Sequence, residues 1–307
     1  MSGQVVDRTT APGEVAASIY DLGYQHYAGA RLGRRAAFLA LYTESLRGCF
    51  GLGRPTRSKV VPFGLLILAE LPAVIAVALE AFLGGVAGGR IENPIRYDNY
   101  FPTIVQFLVL FVAAQAPEMV GRDQRYHVLS LYFSRALDRL DYAVAKVVAL
   151  VSALLVLSLL PQATIFVGKV LGSQDLLGAF TDNLAAVPAI VLSAATAALV
   201  MASLALAVAA FTPRRAYATA AIFALFYITL TAVAIAGATL HGDLARYVLL
   251  VAPTNTLEVF TAWLFGTAVG PELARADLAG PDGAAAAAAM AAGALVVLAW
   301  RYRGIGA

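Results

Sequence analysis

Glu70 and Gln162 are polar side chains set inside long apolar runs, where hydrocarbon would penalise them. Glu70 lies about ten residues into the run that starts near Val60, roughly 15 Å along a helix at 1.5 Å per residue. A carboxylate near the bilayer middle costs about 3 kcal/mol or more. Glu70 therefore reads either as a polar point in a substrate path or as a protonated, hydrogen-bonded tie between neighbouring helices. Pro72 follows two residues later and frees a backbone carbonyl beside it. Pro161-Gln162 suggests a kinked helix with a polar partner nearby. A third group of chemistry-bearing residues fills the polar stretch from Gly121 to Tyr142. There Asp123, Arg125, Arg139 and Asp141 flank a segment with Leu129, Tyr132, Phe133 and Leu137 at helical spacing. As physics this is a short helix lying across a membrane face, offering basic and aromatic side chains to a partner.

Other chemistries lack their residues. No Gly-x-x-x-x-Gly-Lys-Ser/Thr loop is present for nucleotide phosphates, and no His-Glu-x-x-His, Cys-x-x-Cys or nucleophile-elbow sequence occurs. His26, His127 and His241 lie in three separate polar segments and do not converge. Cys49 stands alone, so no intrachain disulfide can form, and it reads as a small apolar residue. The expectation is a chain without its own catalytic, metal or cofactor site.

The elements that must position these residues are membrane helices. Of 307 residues, 60% are hydrophobic and 13% charged, against about 25% charged in soluble domains. Mean hydropathy is +0.76. Each span needs roughly 20 apolar residues, and backbone groups in lipid must pair within their own segment. The apolar runs are continuous rather than alternating, which favours helices. Six spans are expected, near 60–82, 101–120, 143–167, 185–211, 217–240 and 284–300. The apolar stretch 244–266 is broken at Pro253 and reads as two short helices dipping into the interface. The sixth span opens on Ala284–Ala289, and the fourth carries Ala194, Ala195, Ala197, Ala198 and Ser203; both compositions suit close helix packing.

Residues 1–59 read as a polar tail followed by an amphipathic helix over 31–51, with Leu32, Ala36, Leu39, Thr43, Leu46 and Phe50 on one face. No cleavable signal peptide is expected. Residues 60–307 form the transmembrane domain. With the amino terminus inside, seventeen of the twenty-two Lys and Arg fall on that side, which places both termini in the cytosol. A net charge of +3 collected beside apolar runs is a topology signal and gives no reason to expect nucleic acid as a partner.

The polar loop resembles that of the permease subunits of ABC-2 type transporters. Asp123 matches the acidic start of the family's loop, Leu129 and Leu131 its Leu-rich helix, and Arg139 its basic turn. Asp141-Tyr142 matches the acidic-aromatic pair and Lys146 the lysine entering the third span. His127-Val128 stands where Gly-Thr is usual, and Ala136 where Pro is usual. Tyr24–Arg34, the helix before the first span, the six-span count and the broken segment before the sixth span are also similar to that family. The resemblance implies an all-α half-transporter in the bacterial cytoplasmic membrane, pairing with a second permease copy or a paralogue. It implies a coupling helix between spans 2 and 3, built around Asp123, Arg125, Leu129, Tyr132, Phe133, Arg139 and Asp141. That helix would dock on a separate ATPase subunit, which would carry ATP and Mg. The apolar spans lean toward export of a lipophilic or amphipathic cargo, with Glu70 and Gln162 along its path. The alternative is an ion-coupled secondary transporter with Glu70 as its ionisable site. A non-transporting scaffold or membrane-embedded enzyme is a third reading.

Overall fold

The computed structural model describes residues 29, 32–86, 96–133, 137–239, 243–276 and 278–304. The expectations for the tail, for Ala136 and for His241 lie outside the described residues. The chain divides at Leu32/Gly33, and all the helices belong to the unit that begins at Gly33.

Thirteen α-helices are described, with no strand among the described residues. In chain order they are α1 (Gly33–Cys49), α2 (Arg57–Val86), α3 (Tyr100–Arg125), α4 (Leu129–Phe133), α5 (Arg139–Gly172), α6 (Leu176–Leu184) and α7 (Val187–Ala209). The remainder are α8 (Arg215–Phe223), α9 (Thr229–Thr239), α10 (Asp243–Leu249), α11 (Pro253–Phe265), α12 (Pro271–Ala274) and α13 (Gly280–Arg303). A π-helical turn, Ala224–Ile228, joins α8 to α9 without a break. Six helices are long and apolar enough to cross a membrane: α2, α3, α5, α7, the continuous α8–α9, and α13. They coincide with the six expected spans, most of them running a few residues further into flanking polar sequence.

Burial sorts these helices into two groups. α3, α5 and α7 are mostly buried by protein, whereas α2, α8–α9 and α13 keep most of their apolar surface exposed. The core reflects this: Ile104, Leu108, Phe111 and Val112 of α3 pack with Leu150, Leu154 and Leu157 of α5 and with Met201 and Leu206 of α7. Small residues let the backbones approach. Gly283, Ala287, Ala291 and Ala294 form the buried stripe of α13, which packs on α11 and α7. Only one side of the alanine run is used in this way. On α7 the buried set includes Ala194, Ala197, Ala198 and Ser203.

Three local expectations change. The face of α1 that packs on α5 carries Leu41, Ser45 and Cys49, with Ala37, Phe38 and Tyr42 beside them; Leu39 and Thr43 point away. Periodicity alone missed this because Ser45 and Cys49 are not strong hydrophobes. Among the described residues the helix between spans 2 and 3 covers Leu129–Phe133, and Leu137 is buried just before α5. α6, started by the Asp175 carboxylate accepting from the Gly178 N–H at 3.0 Å, was not expected. The break at Pro253 falls as expected: Pro253 opens α11, where its missing N–H costs nothing.

Cys49 is fully buried, its Sγ 3.3 Å from Met119 Sδ, and burial pushes its thiol up to about 12. A maleimide at neutral pH should leave it unlabelled in native membranes and modify it after denaturation. Fast labelling of the native protein would contradict the seating of α1 on α3.

Candidate functional site

The site lies at the end of the bundle where α3 stops and α5 starts. α3 continues as helix through Asp123 to Arg125, so these two residues sit on the final turns of a span and not in a free loop. Tyr126–Val128 then turn the chain, with His127 at φ 53, a left-handed conformation that among non-glycine residues Asn, Asp and His adopt most readily. α4 follows directly. α5 begins at Arg139, placing Asp141 in its first turn, where an acid suits the positive end of the helix dipole.

Tyr142 is the hub. It is fully buried, and its hydroxyl donates to Asp123 Oδ2 at 2.7 Å. The same Asp123 oxygen lies 2.9 Å from Lys146 Nζ, an ion pair whose lysine side chain is 8% exposed. Lys146 also stands 5.2 Å from the Tyr142 ring centroid. Tyr132 and Phe133 of α4 pack on that ring at 5.7 and 6.2 Å, and Tyr302 closes it from α13 at 5.1 Å. Burial raises the Tyr132 phenol, helped by the charges of Asp123 and Glu44. Asp123, Tyr142 and Lys146 thus bolt α3 to α5, and α4 is pressed onto the bolt by its aromatic side chains.

A second lock holds α1. Arg34 donates to both oxygens of Asp141 at 2.7 and 2.8 Å and also reaches Asp138 at 2.8 Å. Hydrogen bonding to Asp141 raises the Arg34 guanidinium further above its already high range. Asp141 simultaneously accepts from the Asp138 backbone N–H at 3.1 Å.

Most residues selected from sequence therefore hold the loop in place. Leu129 is buried, and Tyr132, Phe133, Asp123 and Asp141 turn inward. Arg139 donates to the Arg303 carbonyl at 3.3 Å and lies 5.9 Å from the Phe133 ring, while Arg125 donates to the Pro213 carbonyl at 3.1 Å. The outward surface is made by Tyr126, His127, Ser130 and Leu131; Tyr126 is 66% and Leu131 64% exposed. A large apolar side chain standing out of a short polar segment was the signal available for these two.

Glu70 and Gln162 do not join this site. The Thr164 hydroxyl of α5 donates to Glu70 Oε1, tying α2 to α5. Glu70 Oε2 and Gln162 Oε1 are buried without a hydrogen-bond partner among the described residues. No three His, Cys, Asp or Glu gather to hold a metal ion among the described residues.

Six apolar helices, three of which form the buried core, define an all-α, multi-pass membrane protein among the described residues. Neither a family model nor a curated protein matches the chain.

Proposed function

We propose that the chain is the permease subunit of an ATP-driven ABC transporter of the ABC-2 type, with no ATPase site of its own. It sits in a bacterial cytoplasmic membrane with both termini in the cytosol. It pairs with a second permease copy or paralogue and exports a lipophilic or amphipathic substrate. The observation that supports this reading most is α4 itself. It is a short helix between two long spans, pressed by Tyr132 and Phe133 onto the Asp123–Tyr142–Lys146 bolt that joins them, and with the turn before it, it presents Leu131 and Tyr126 outward. A force applied to α4 by a partner would reach α3 and α5 directly, as coupling to a separate ATPase subunit requires. α1 would be the interfacial helix, and α10 and α11 the outer helices before the last span.

The test is affinity purification from native membranes in mild detergent. An ATPase subunit should come down in equal amount. Arg125→Glu with Arg139→Glu should weaken that association, and so should Leu131→Asp, which changes an exposed side chain and leaves the inner contacts intact. Assembly and transport surviving both sets would refute the coupling role of α4.

The second reading is ion-coupled transport through Glu70, favoured by its buried Oε2, which has no partner among the described residues. Glu70→Gln keeps an acceptor for Thr164 while removing the titratable proton. Under the permease reading the variant should fold and keep ATP-dependent flux. Loss of a proton-coupled flux that never required ATP would favour the second reading instead.

A further inference from the structure

A cleft of about 480 Å³ opens between α1, the final turns of α3 and the chain that turns into α4. The charged groups lining it divide into committed and uncommitted. Asp123 and Lys146 neutralise each other, and Glu118 is held by Arg215 at 2.8 Å. Arg54 and Arg122, which line the same cleft, have no acidic partner among the described residues. Ser45 lines it too, is 6% exposed, and buries an Oγ that has no hydrogen-bond partner among the described residues.

Two uncommitted guanidinium groups beside an unpaired hydroxyl match one ligand chemistry well. Arginine forks recognise phosphate oxygens by paired, charge-assisted hydrogen bonds, and a serine hydroxyl supplies a further donor. The location is also suited to phosphate. The cleft lies where the first span starts at Arg57 and the second ends at Arg125, at the level where a spanning helix leaves the hydrocarbon. Its volume falls within the range of small-molecule sites. Glu44 on the α1 wall opposes a second full negative charge, which favours a phosphodiester or monoanionic phosphate over a polyanion.

We infer that this cleft binds a phosphate-bearing group, supplied either by a lipid headgroup or by a soluble phosphate ester. The inference does not depend on the transporter reading, since it requires no ATPase subunit.

Purified full-length protein, stripped of lipid, is titrated by native mass spectrometry with phosphatidylglycerol, with a diacylglycerol of the same chains, and with glycerol 3-phosphate. Phosphatidylglycerol should bind and raise the thermal midpoint, and diacylglycerol should do neither. Arg54→Gln with Arg122→Gln should weaken binding roughly tenfold, as expected for losing charge-assisted hydrogen bonds. Arg54→Lys with Arg122→Lys should lose less. Glycerol 3-phosphate binding in the absence of lipid binding would support the site and assign it to a soluble ester. Equal binding of phosphatidylglycerol and diacylglycerol, with no binding of glycerol 3-phosphate, would overturn the inference. Wild-type affinity for every probe in the Gln variant would overturn it as well. Should the Gln variant not fold, the comparison of the three probes on the unaltered protein decides alone.

Discussion

Asp123→Asn is expected to destabilise the protein by about 3–5 kcal/mol, the range for stranding one member of a buried ion pair. The asparagine keeps the shape of the aspartate but leaves the Lys146 ammonium, 8% exposed, facing a neutral amide. Lys146→Met should cost a comparable amount, because the Asp123 carboxylate would keep only the Tyr142 hydroxyl at 2.7 Å. The double variant, Asp123→Asn with Lys146→Met, should recover much of the loss, since neither charge is then buried without its partner. Thermal unfolding in detergent, followed by monodispersity on size exclusion, measures all three. Single variants that lose less than about 1 kcal/mol would behave like a solvent-exposed pair, and the ion pair would then not be what bolts α3 to α5.

The second large effect is expected at Gly51, in the turn that carries the chain from α1 into α2. Its φ of +65 lies in the left-handed region, which costs roughly 1–2 kcal/mol for a residue with a Cβ. A Cβ there would also stand 2.6 Å from the Ser58 carbonyl oxygen, which belongs to the backbone of α2 and cannot swing aside. Gly51→Ala should therefore lose clearly more than the conformational cost and displace α1 from α5. Gly53 provides the control within the same turn. Its φ is +79, but a Cβ at that position would meet nothing within 4 Å, so Gly53→Ala should lose only the conformational cost of about 1–2 kcal/mol. Equal thermal losses in the two variants would mean that the Ser58 contact does not set the turn.

The spans were legible because their signal is redundant: some 20 apolar residues cannot be hidden by a few substitutions. Pro253 marked the start of α11 for an equally local reason, the missing N–H. What the sequence concealed depends on partners distant in the chain. Asp123 and Lys146 stood out as charges at the borders of spans, yet nothing local indicates that they meet, or that Tyr142 lies between them and the aromatics of α4. The inward turn of Tyr132 and Phe133 was hidden for the same reason, since an aromatic on a short polar helix can serve either a partner or its own bundle. α1 shows the reverse. Leu46 and Phe50 of its apolar spacing pack on the core, but Leu39 faces away, and the small Ser45 and Cys49 join Leu41 on the buried face instead.

The π-helical turn at Ala224–Ile228 has a consequence for how the fifth span tolerates change. A π-turn takes in an additional residue relative to regular α-helix, and such turns recur at functional sites. The Thr229 hydroxyl donating to the Leu225 carbonyl meets part of the backbone need this creates. Removing any one residue from 224–228 would leave length and hydropathy nearly unaltered. It would also allow the ladder to close as plain α-helix, and because the wider π-turn already absorbs the additional residue, the helix on either side would keep nearly its present facing. Removing one residue from the regular helix of α8 or α9 would instead turn the rest of the span by about 100° and carry residues such as Phe226 or Val233 off the core side. The span thus carries one residue of slack at 224–228, and it tolerates a shortening there that would misalign it anywhere else along its length.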